Sequence, residues 1–167
     1  MTSDSRPTPP HPAAARSYDG EGITVSFDAH RCLHAAECVR GLPAVFEVGR
    51  KPWILPGNAP ADEVADVIHR CPSGALQYHR TDGLPDEIPD VPTHVSLHPD
   101  GVLHLRGDLE VATPHGPRHE TRAMLCGCGA TGNTPYCDHS GACAGHDQGA
   151  GNGSRRSGTG VRGAPVG

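Results

Sequence analysis

The stretch CGCGATGNTPYCDHSGAC, residues 126–143, holds four of the seven cysteines in this chain of 167 residues. Two of the four are separated by a single residue, and no apolar run surrounds them. Only 35% of the chain is hydrophobic and 4% is aromatic, so a large apolar core is not expected. Small domains with so little core are commonly held together by disulfides or by a metal. Whether these thiols form disulfides or bind a metal therefore decides the fold.

The cysteines favour a metal over disulfides. The first residues, MTSDSRPTPPHPAAARS, lack the apolar core of a signal peptide, so we expect a cytoplasmic protein. Thiols stay reduced in that compartment. Seven is an odd number, which also suits a complete disulfide set poorly.

Charge and hydropathy argue against several kinds of partner. The net charge of −5 gives no reason to expect binding to nucleic acid or to an acidic membrane surface. No apolar stretch approaches the roughly 20 residues that a membrane-spanning helix needs. The sequence shows no nucleophile–base pair, phosphate-binding loop or substrate-pocket signature. An enzyme that acts alone on an organic substrate is therefore not expected.

Composition divides the chain into two patterned regions, two tails and a linker. The N-terminal tail is rich in Pro and Ala and the C-terminal tail in Gly and Ser, which is typical of disorder. The segment TDGLPDEIPDVP has three prolines and four acidic residues and indicates a linker. The predicted divisions are a disordered tail over 1–16, a domain over 17–81, a linker over 82–91, a domain over 92–146 and a disordered tail over 147–167.

The first region alternates between strand and helix signals. GITVSFD alternates apolar and polar residues, as a half-buried strand does. HAAECVR is a short helix candidate and KPWIL a short strand candidate. PADEVADVIHRC predicts a helix, because its apolar residues recur at i, i+3, i+4 and i+7. GALQYHR then closes a predicted β-α-β-α-β order.

The second region indicates β-structure. HVSLHPDGVLHLRGDLEV contains two alternating runs around Pro99-Asp100-Gly101, the pattern of a hairpin. RHETRAMLC predicts a further strand that leads into the cysteine-rich loop. The fold class expected for the whole chain is therefore α+β.

Three cysteines of the first region form a pattern. Cys32 and Cys38 bracket the loop CLHAAEC, and Cys71 follows far along the chain, directly before Pro72. Simple burial of small thiols would explain Cys71 on its apolar helix face, but not its combination with the loop. Thiolates on a loop that a distant Cys-Pro closes are the arrangement that an iron–sulfur cluster requires.

With these residues the first region resembles the divergent single-cluster ferredoxin domain. The matching segments are RCLHAAECVRGLPAVF, KPWILP and RCPSGALQYHR, and the resemblance covers nearly all of residues 17–81. It implies a small ferredoxin-like domain with Cys32, Cys38 and Cys71 as ligands of one cluster.

The number of irons in this first cluster is left open, because one cysteine of the ordinary four-iron pattern is absent from this sequence. An ordinary four-iron site has a further cysteine midway between its first two ligands, where this chain has Ala35. Three sulfurs suit a 3Fe–4S cluster, whereas a 4Fe–4S cluster needs an outside ligand. His34 is the nearest candidate for that ligand, and its alternative role is that of a solvent-facing loop residue.

The cysteine-rich loop has the motif C-x-C-x2-T-x3-P-x-C-D, which resembles the CDGSH iron–sulfur domain of the mitoNEET family. Thr131 and Asp138 fall on positions of that family, and the preceding strand segments are similar to its bacterial members. In the family, three cysteines and one histidine hold a 2Fe–2S cluster. The resemblance implies Cys126 and Cys128 on one iron and Cys137 on the other, in a small β-rich domain.

The fourth ligand of this second cluster is where the chain departs from the family. The family motif ends Cys-Asp-Gly-Ser-His, whereas residues 137–141 read CDHSG, so Gly141 stands where the histidine would bind. The local substitutes are Cys143, His139 and His146, and a site without a fourth protein ligand is the remaining alternative. Cys143 is favoured over His139 because a thiolate binds iron more strongly and SGAC gives a flexible approach.

Zinc is the alternative metal. Four Cys or His donors in a short loop can hold Zn²⁺ tetrahedrally. Structural zinc sites usually space their cysteines as Cys-x2–4-Cys, which is wider than the single residue between Cys126 and Cys128.

These predictions combine into a cytoplasmic one-electron carrier with a 3Fe–4S or 4Fe–4S cluster and a 2Fe–2S cluster, able to serve an oxidoreductase system. A redox-sensing or cluster-transfer module is the alternative, and a protein held by structural zinc comes after it. The expected partners are a redox protein that the sequence does not name and, because the eukaryotic CDGSH relatives are dimers, a second copy of the chain.

Overall fold

The computed structural model describes residues 15–143, which form two small antiparallel sheets and few helices. The first sheet contains, in this order, β1 (Ala15–Gly20), β2 (Ile23–Asp28) and β3 (Leu76–Arg80). The second contains, in this order, β4 (His94–Leu97), β5 (Val102–Thr113) and β6 (Gly116–Cys126). The helices are α1 (Glu37–Gly41) and α2 (Ala61–Ile68), and short 3₁₀ turns lie at Ala29–Arg31 and Pro56–Asn58.

An apolar core joins the first sheet to α2. Ile23 and Val25 of β2 are fully buried, as are Val64 and Ile68 of α2. The helix buries the apolar face that its 3.6-residue periodicity predicted. This core fixes the end of β2 and the end of α2, and each end leads directly to a cysteine.

The predicted β-α-β-α-β order of the first region is wrong in two places. The segment KPWIL forms no strand, because Ile54 makes only an isolated bridge with Phe46. β1 is an additional strand that pairs with β2 along its whole length. It begins at Ala15, inside the range expected to be disordered, and its polar sequence ARSYDG gave no apolar alternation to reveal it. The rest of the two predicted tails, with His146, lies outside the described residues.

The second sheet confirms the predicted hairpin and the strand that follows it. β4 pairs with β5 across the turn at residues 98–101, and β5 pairs with β6 over most of its length. The cysteine-rich loop after β6 folds back onto that strand. Cys126 N–H donates to the carbonyl of Pro135, and Cys137 N–H donates to the carbonyl of Met124, both at 2.9 Å.

The two sheets meet in a buried polar interface. Arg31 follows β2 and donates to Glu120 of β6 at 2.9 Å. Arg122 of β6 donates to the carbonyls of Ile68 and Leu76 at 2.7 and 3.0 Å. Both arginine side chains are only 1% exposed. Buried charges of this kind are stable only when they are paired and hydrogen-bonded, so these contacts fix the two halves against each other.

Within residues 15–143, neither helix has the length or the apolar character to cross a membrane.

Candidate metal centres

Sheet pairing brings the first cysteine set together. β2 and β3 are antiparallel neighbours, so the end of β2 lies beside the start of β3, and Phe27 is paired with Leu76. Cys32 follows β2 and Cys71 precedes β3. Cys32 and Cys71, which are 39 positions apart in the sequence, therefore lie at the same end of the sheet.

The loop between Cys32 and Cys38 turns back on itself through two strained residues. His34 and Ala36 have positive φ angles of 57° and 62°. Residues other than glycine adopt this conformation rarely, and they cluster at functional sites when they do. The loop brings Cys38 back, so that Cys32, Cys38 and Cys71 line one cavity of about 30 Å³.

The three thiols of this cavity form a suitable donor set for a metal group. Burial is the main cause that raises the pKa of Cys32 and of Cys38, and the nearby Cys71 raises both further. The main-chain N–H groups of His34 and Val39 act in the opposite direction. Thiols that disfavour one another's ionisation can all become thiolates when a cationic metal centre binds among them. The residues present therefore fit an iron–sulfur group.

Ala35 stands at the position of the missing cysteine, and Glu37 also lines the cavity. The carbonyl of Ala35 accepts a hydrogen bond from Arg40 at 3.0 Å. His34 is exposed and lines an open groove that also reaches Cys32 and Cys38. The first centre is therefore accessible from this side.

The cysteine-rich loop brings together a second set of thiols. The Sγ atoms of Cys126, Cys128 and Cys143 all lie within 4.8 Å of one another. The Cys126 and Cys128 sulfurs are 3.4 Å apart. Cys137 lies outside this group but packs in the same buried apolar group as Cys143. Cys137 and Cys143 are each 2% exposed, whereas Cys128 is exposed.

Two polar residues of the motif brace the loop around these thiols. Thr131 Oγ1 donates to the carbonyl of Tyr136 at 2.7 Å. Asp138 accepts from the N–H of Gly132 at 2.9 Å and from the N–H of Ser140 at 3.0 Å. The Ser140 hydroxyl, which donates to Asp138 at 2.6 Å, is the main cause that lowers the pKa of Asp138 to about 2, and the two N–H groups lower it further. Thr131 and Asp138 thus hold the loop closed without contributing a ligand atom themselves.

Gly141 leaves no space for a side chain at the position of the family's histidine. A Cβ atom there would lie 2.8 Å from Cys128 Sγ and 2.6 Å from Ala130 Cβ. His139 is not one of the grouped donors: its Nε2 lies 3.9 Å from Asp100 Oδ2 and makes no hydrogen bond. Cys143 is the residue after the turn whose sulfur reaches the other thiols.

The electrostatics of the second set differ from one thiol to the next. The N–H groups of Ala130 and Cys143 lower the pKa of Cys128 to about 6. The hydrogen bond to Cys128, with burial, raises the pKa of Cys143 to about 12. Burial also raises the pKa of Cys137, although the N–H of His139 opposes it. Cys128 is thus an exposed thiolate beside the protonated, buried thiols of Cys137 and Cys143. A metal that binds here would displace the protons of those two thiols.

The interface residues were missed in the sequence because charged side chains usually indicate a solvated surface. Arg118, Glu120 and Arg122 alternate along β6 and so share one face. The one feature of the sequence that could have predicted this interface is a charged strand face directly before the cysteine-rich loop. Leu33 was missed as well. It lines the first cavity and also packs against a group of buried apolar residues that includes Cys137 and Cys143.

Comparison with known proteins concerns the first region. The family model described as a divergent 4Fe-4S mono-cluster matches residues 18–81. The uncharacterized protein YjdI of Escherichia coli K12 is 48% identical over 63 residues, which are 38% of this chain and 83% of YjdI. The chain belongs to the divergent 4Fe-4S mono-cluster family. The YjdI protein of Escherichia coli O157:H7 matches with the same identity and coverage.

Membership in the mono-cluster family supports iron–sulfur binding by the first region and a 4Fe–4S cluster as its cofactor. No solved structure matches the chain. The resemblance of residues 92–146 to the CDGSH domain stays a prediction.

Proposed function

We propose that the protein is an iron–sulfur electron carrier with two separate centres. In the first, Cys32, Cys38 and Cys71 bind a 4Fe–4S cluster, and the fourth iron is left to a ligand from outside this cysteine set. A 3Fe–4S cluster on the same three thiolates is the variant form. The open groove beside Cys32 and Cys38 gives a redox partner access to this centre.

The second proposed centre is a CDGSH-type site with four cysteine ligands. Cys126 and Cys128 bind one iron of a 2Fe–2S cluster, and Cys137 and Cys143 bind the other. This assignment is supported by the close grouping of Cys126, Cys128 and Cys143, by the burial of Cys137 in the same apolar group as Cys143, and by the lack of space at Gly141. A site of this composition contains no ligand imidazole, so its potential should vary little with pH.

The observation that carries the proposal is the same for both centres. Each is a group of cysteines at least two of which lie on one loop, with main-chain N–H groups directed at some of the sulfurs. Such hydrogen bonds stabilise thiolates and tune the potential of the centre that they bind. One-electron exchange needs no acid, base or nucleophile beside the centre.

Metal analysis of anaerobically purified protein tests the proposal. We expect iron and acid-labile sulfide in the amounts of one 4Fe–4S and one 2Fe–2S group, with both giving electron paramagnetic resonance signals after reduction. Stoichiometric zinc in the second site, with sulfide for one cluster only, would reduce the proposal to a single-cluster carrier. Zinc in both sites would overturn it.

Cluster transfer is a second function that one observation favours. Cys128 is exposed, so an acceptor protein can reach the edge of the second site. Reversible one-electron titration without loss of iron supports the carrier. Movement of iron and sulfide to a metal-free acceptor, with the donor left empty, supports the transfer module instead.

A further inference from the structure

The two cysteine sites share a wall. Leu33 directly follows Cys32 and lines the first cavity. The same side chain packs against a cluster of buried residues on the second sheet that contains Cys137 and Cys143. The residue next to a proposed ligand of the first centre therefore packs against the same buried group that holds two proposed ligands of the second.

A second link joins the sites through hydrogen bonds. Arg122 Nη1 donates to the carbonyl of Cys71, and this arginine precedes Cys126 by four residues on β6. Arg122 is also paired with Glu87 at 2.7 Å, and its side chain is 1% exposed. The strand that ends at Cys126 thus holds the main chain at Cys71.

A third contact fixes the residues that precede the ligands. The guanidinium of Arg31 lies 4.3 Å from the ring centroid of Tyr136, and both side chains bond to the carboxylate of Glu120. Arg31 precedes Cys32, and Tyr136 precedes Cys137. Because both ion-pair partners are buried, the separation of the two sites is set by packing and not by a flexible linker.

We propose that the two cysteine sites act as one coupled electron-transfer unit, in which Leu33 is the shared wall and Arg122 positions the main chain of Cys71. The inference rests on the proposed function, since both sites must hold iron–sulfur groups. The rate of electron transfer falls steeply with distance, so two sites that adjoin the same Leu33 side chain are placed for exchange within the chain. In that exchange the group at one site loses one electron and the group at the other gains it, with no proton and no further reactant.

Electron paramagnetic resonance of the anaerobic full-length protein, fully reduced with dithionite, tests the coupling. The reference spectra come from Cys38→Ser, which removes a first-site ligand, and from Cys128→Ser, which removes a second-site ligand. We expect the spectrum of the unmodified protein to be broadened or split relative to the sum of the two references. A spectrum equal to that sum, with iron and sulfide present at both sites, would overturn the inference alone. Loss of sulfide from the second site would instead overturn the two-centre function and the inference with it.

The kinetics give a second readout. After rapid partial photoreduction with a soluble flavin, electrons should redistribute between the two sites in a first-order phase whose rate is independent of protein concentration. A rate that rises in proportion to protein concentration would assign the exchange to encounters between molecules and would overturn the inference.

Arg122 can be tested as a positioning residue by comparison with Arg106. Arg106 also crosses the interface, where it donates to the carbonyl of His69 at 3.0 Å and to Asp90 at 3.2 Å, so its hydrogen bonds go to His69 and Asp90 and not to Cys71. Arg122→Met should reduce the spectral broadening or slow the internal phase, and Arg106→Met should leave both unchanged. If Arg122→Met does not fold, Arg122→Lys, which keeps the charge but not the full set of bonds, takes its place. Equal behaviour of the Arg122 and Arg106 variants, with both sites loaded, would exclude the positioning role.

Discussion

Arg31 Nη1 donates to Glu120 Oε1 at 2.9 Å, and both side chains are buried between the two sheets. Glu120 also accepts from the hydroxyl of Tyr136 at 3.0 Å and from the amide of Gln77 at 2.7 Å. One carboxylate thus joins the end of β2, the strand β3 and the cysteine-rich loop. The polar interface therefore fixes the position of the two proposed metal sites relative to each other.

The first prediction concerns this ion pair. Glu120→Gln removes the charge and leaves Arg31 buried without its carboxylate, and breaking a buried pair in this way typically costs about 3–5 kcal/mol. We expect a loss of that size in the free energy of unfolding, measured with denaturant on the metal-loaded protein. Glu110→Gln, at an exposed position of β5, is the matched control and should change stability by at most about 0.5 kcal/mol. Equal effects of the two variants would contradict a structural role for Glu120.

The second prediction concerns the fourth ligand of the second site. Cys143→Ser should lower the iron and sulfide content of that site and shift its visible absorption, because Cys143 is the thiol that joins Cys126 and Cys128. His139→Ala should leave the absorption unchanged. The measurement is metal content together with the visible spectrum. The assignment would be reversed if His139→Ala lost the cluster and Cys143→Ser kept it.

The third prediction concerns Gly141. A Cβ atom at this position would lie 2.8 Å from Cys128 Sγ, so Gly141→Ala should lower the occupancy of the second site. Gly141→His, which restores the family's motif residue, should lower it further, since the larger side chain enters the same space. Gly57→Ala is the control, because a Cβ there meets no atom within 4 Å. A Gly141→His protein with a fully loaded second site and a pH-dependent potential would contradict this account.

The fourth prediction uses the single tryptophan of the chain. Trp53 lines the same cavity as Cys32, Cys38 and Cys71, and no other tryptophan contributes to the fluorescence. Loading the first site should quench Trp53 strongly, because an iron–sulfur group in contact with the ring accepts its excitation energy. Quenching should persist in Cys143→Ser and be much weaker in Cys71→Ser. Unchanged emission on loading of the first site would place the cluster elsewhere.

The fifth prediction concerns thiol reactivity in metal-free protein. Main-chain N–H groups lower the pKa of Cys128 to about 6, and its side chain is exposed, so most of it is thiolate at pH 7. The thiolate is the form that reacts with iodoacetamide. Cys128 should therefore be alkylated first, at a rate that rises as the pH passes upward through about 6. Cys143, whose pKa is raised to about 12 and whose side chain is buried, should react far more slowly. Peptide mapping by mass spectrometry at several pH values measures both rates, and faster alkylation of Cys143 would contradict the prediction.

The sequence predicted the elements whose patterns are local. The apolar periodicity of α2, the alternation of β2 and the hairpin around Pro99-Asp100-Gly101 depend on neighbouring residues only, and the structure confirms them. β1 could not be found this way. Its polar residues are held by pairing with β2, and not by burial of an apolar face of its own.

The same division holds for the candidate sites. Spacing and neighbouring residues were enough to single out the cysteines, because each loop must turn tightly around whatever its thiols bind. Spacing does not determine which side chain reaches past Gly141, since this depends on the approach of Cys128 and Ala130 in three dimensions. Spacing also does not predict the shared wall at Leu33, because this residue packs against residues that are distant in the sequence. The sequence by itself determined which cysteines are proposed as the two sets of donors. Only the tertiary structure, through a buried interface of long-range contacts, decided that the two sets lie side by side.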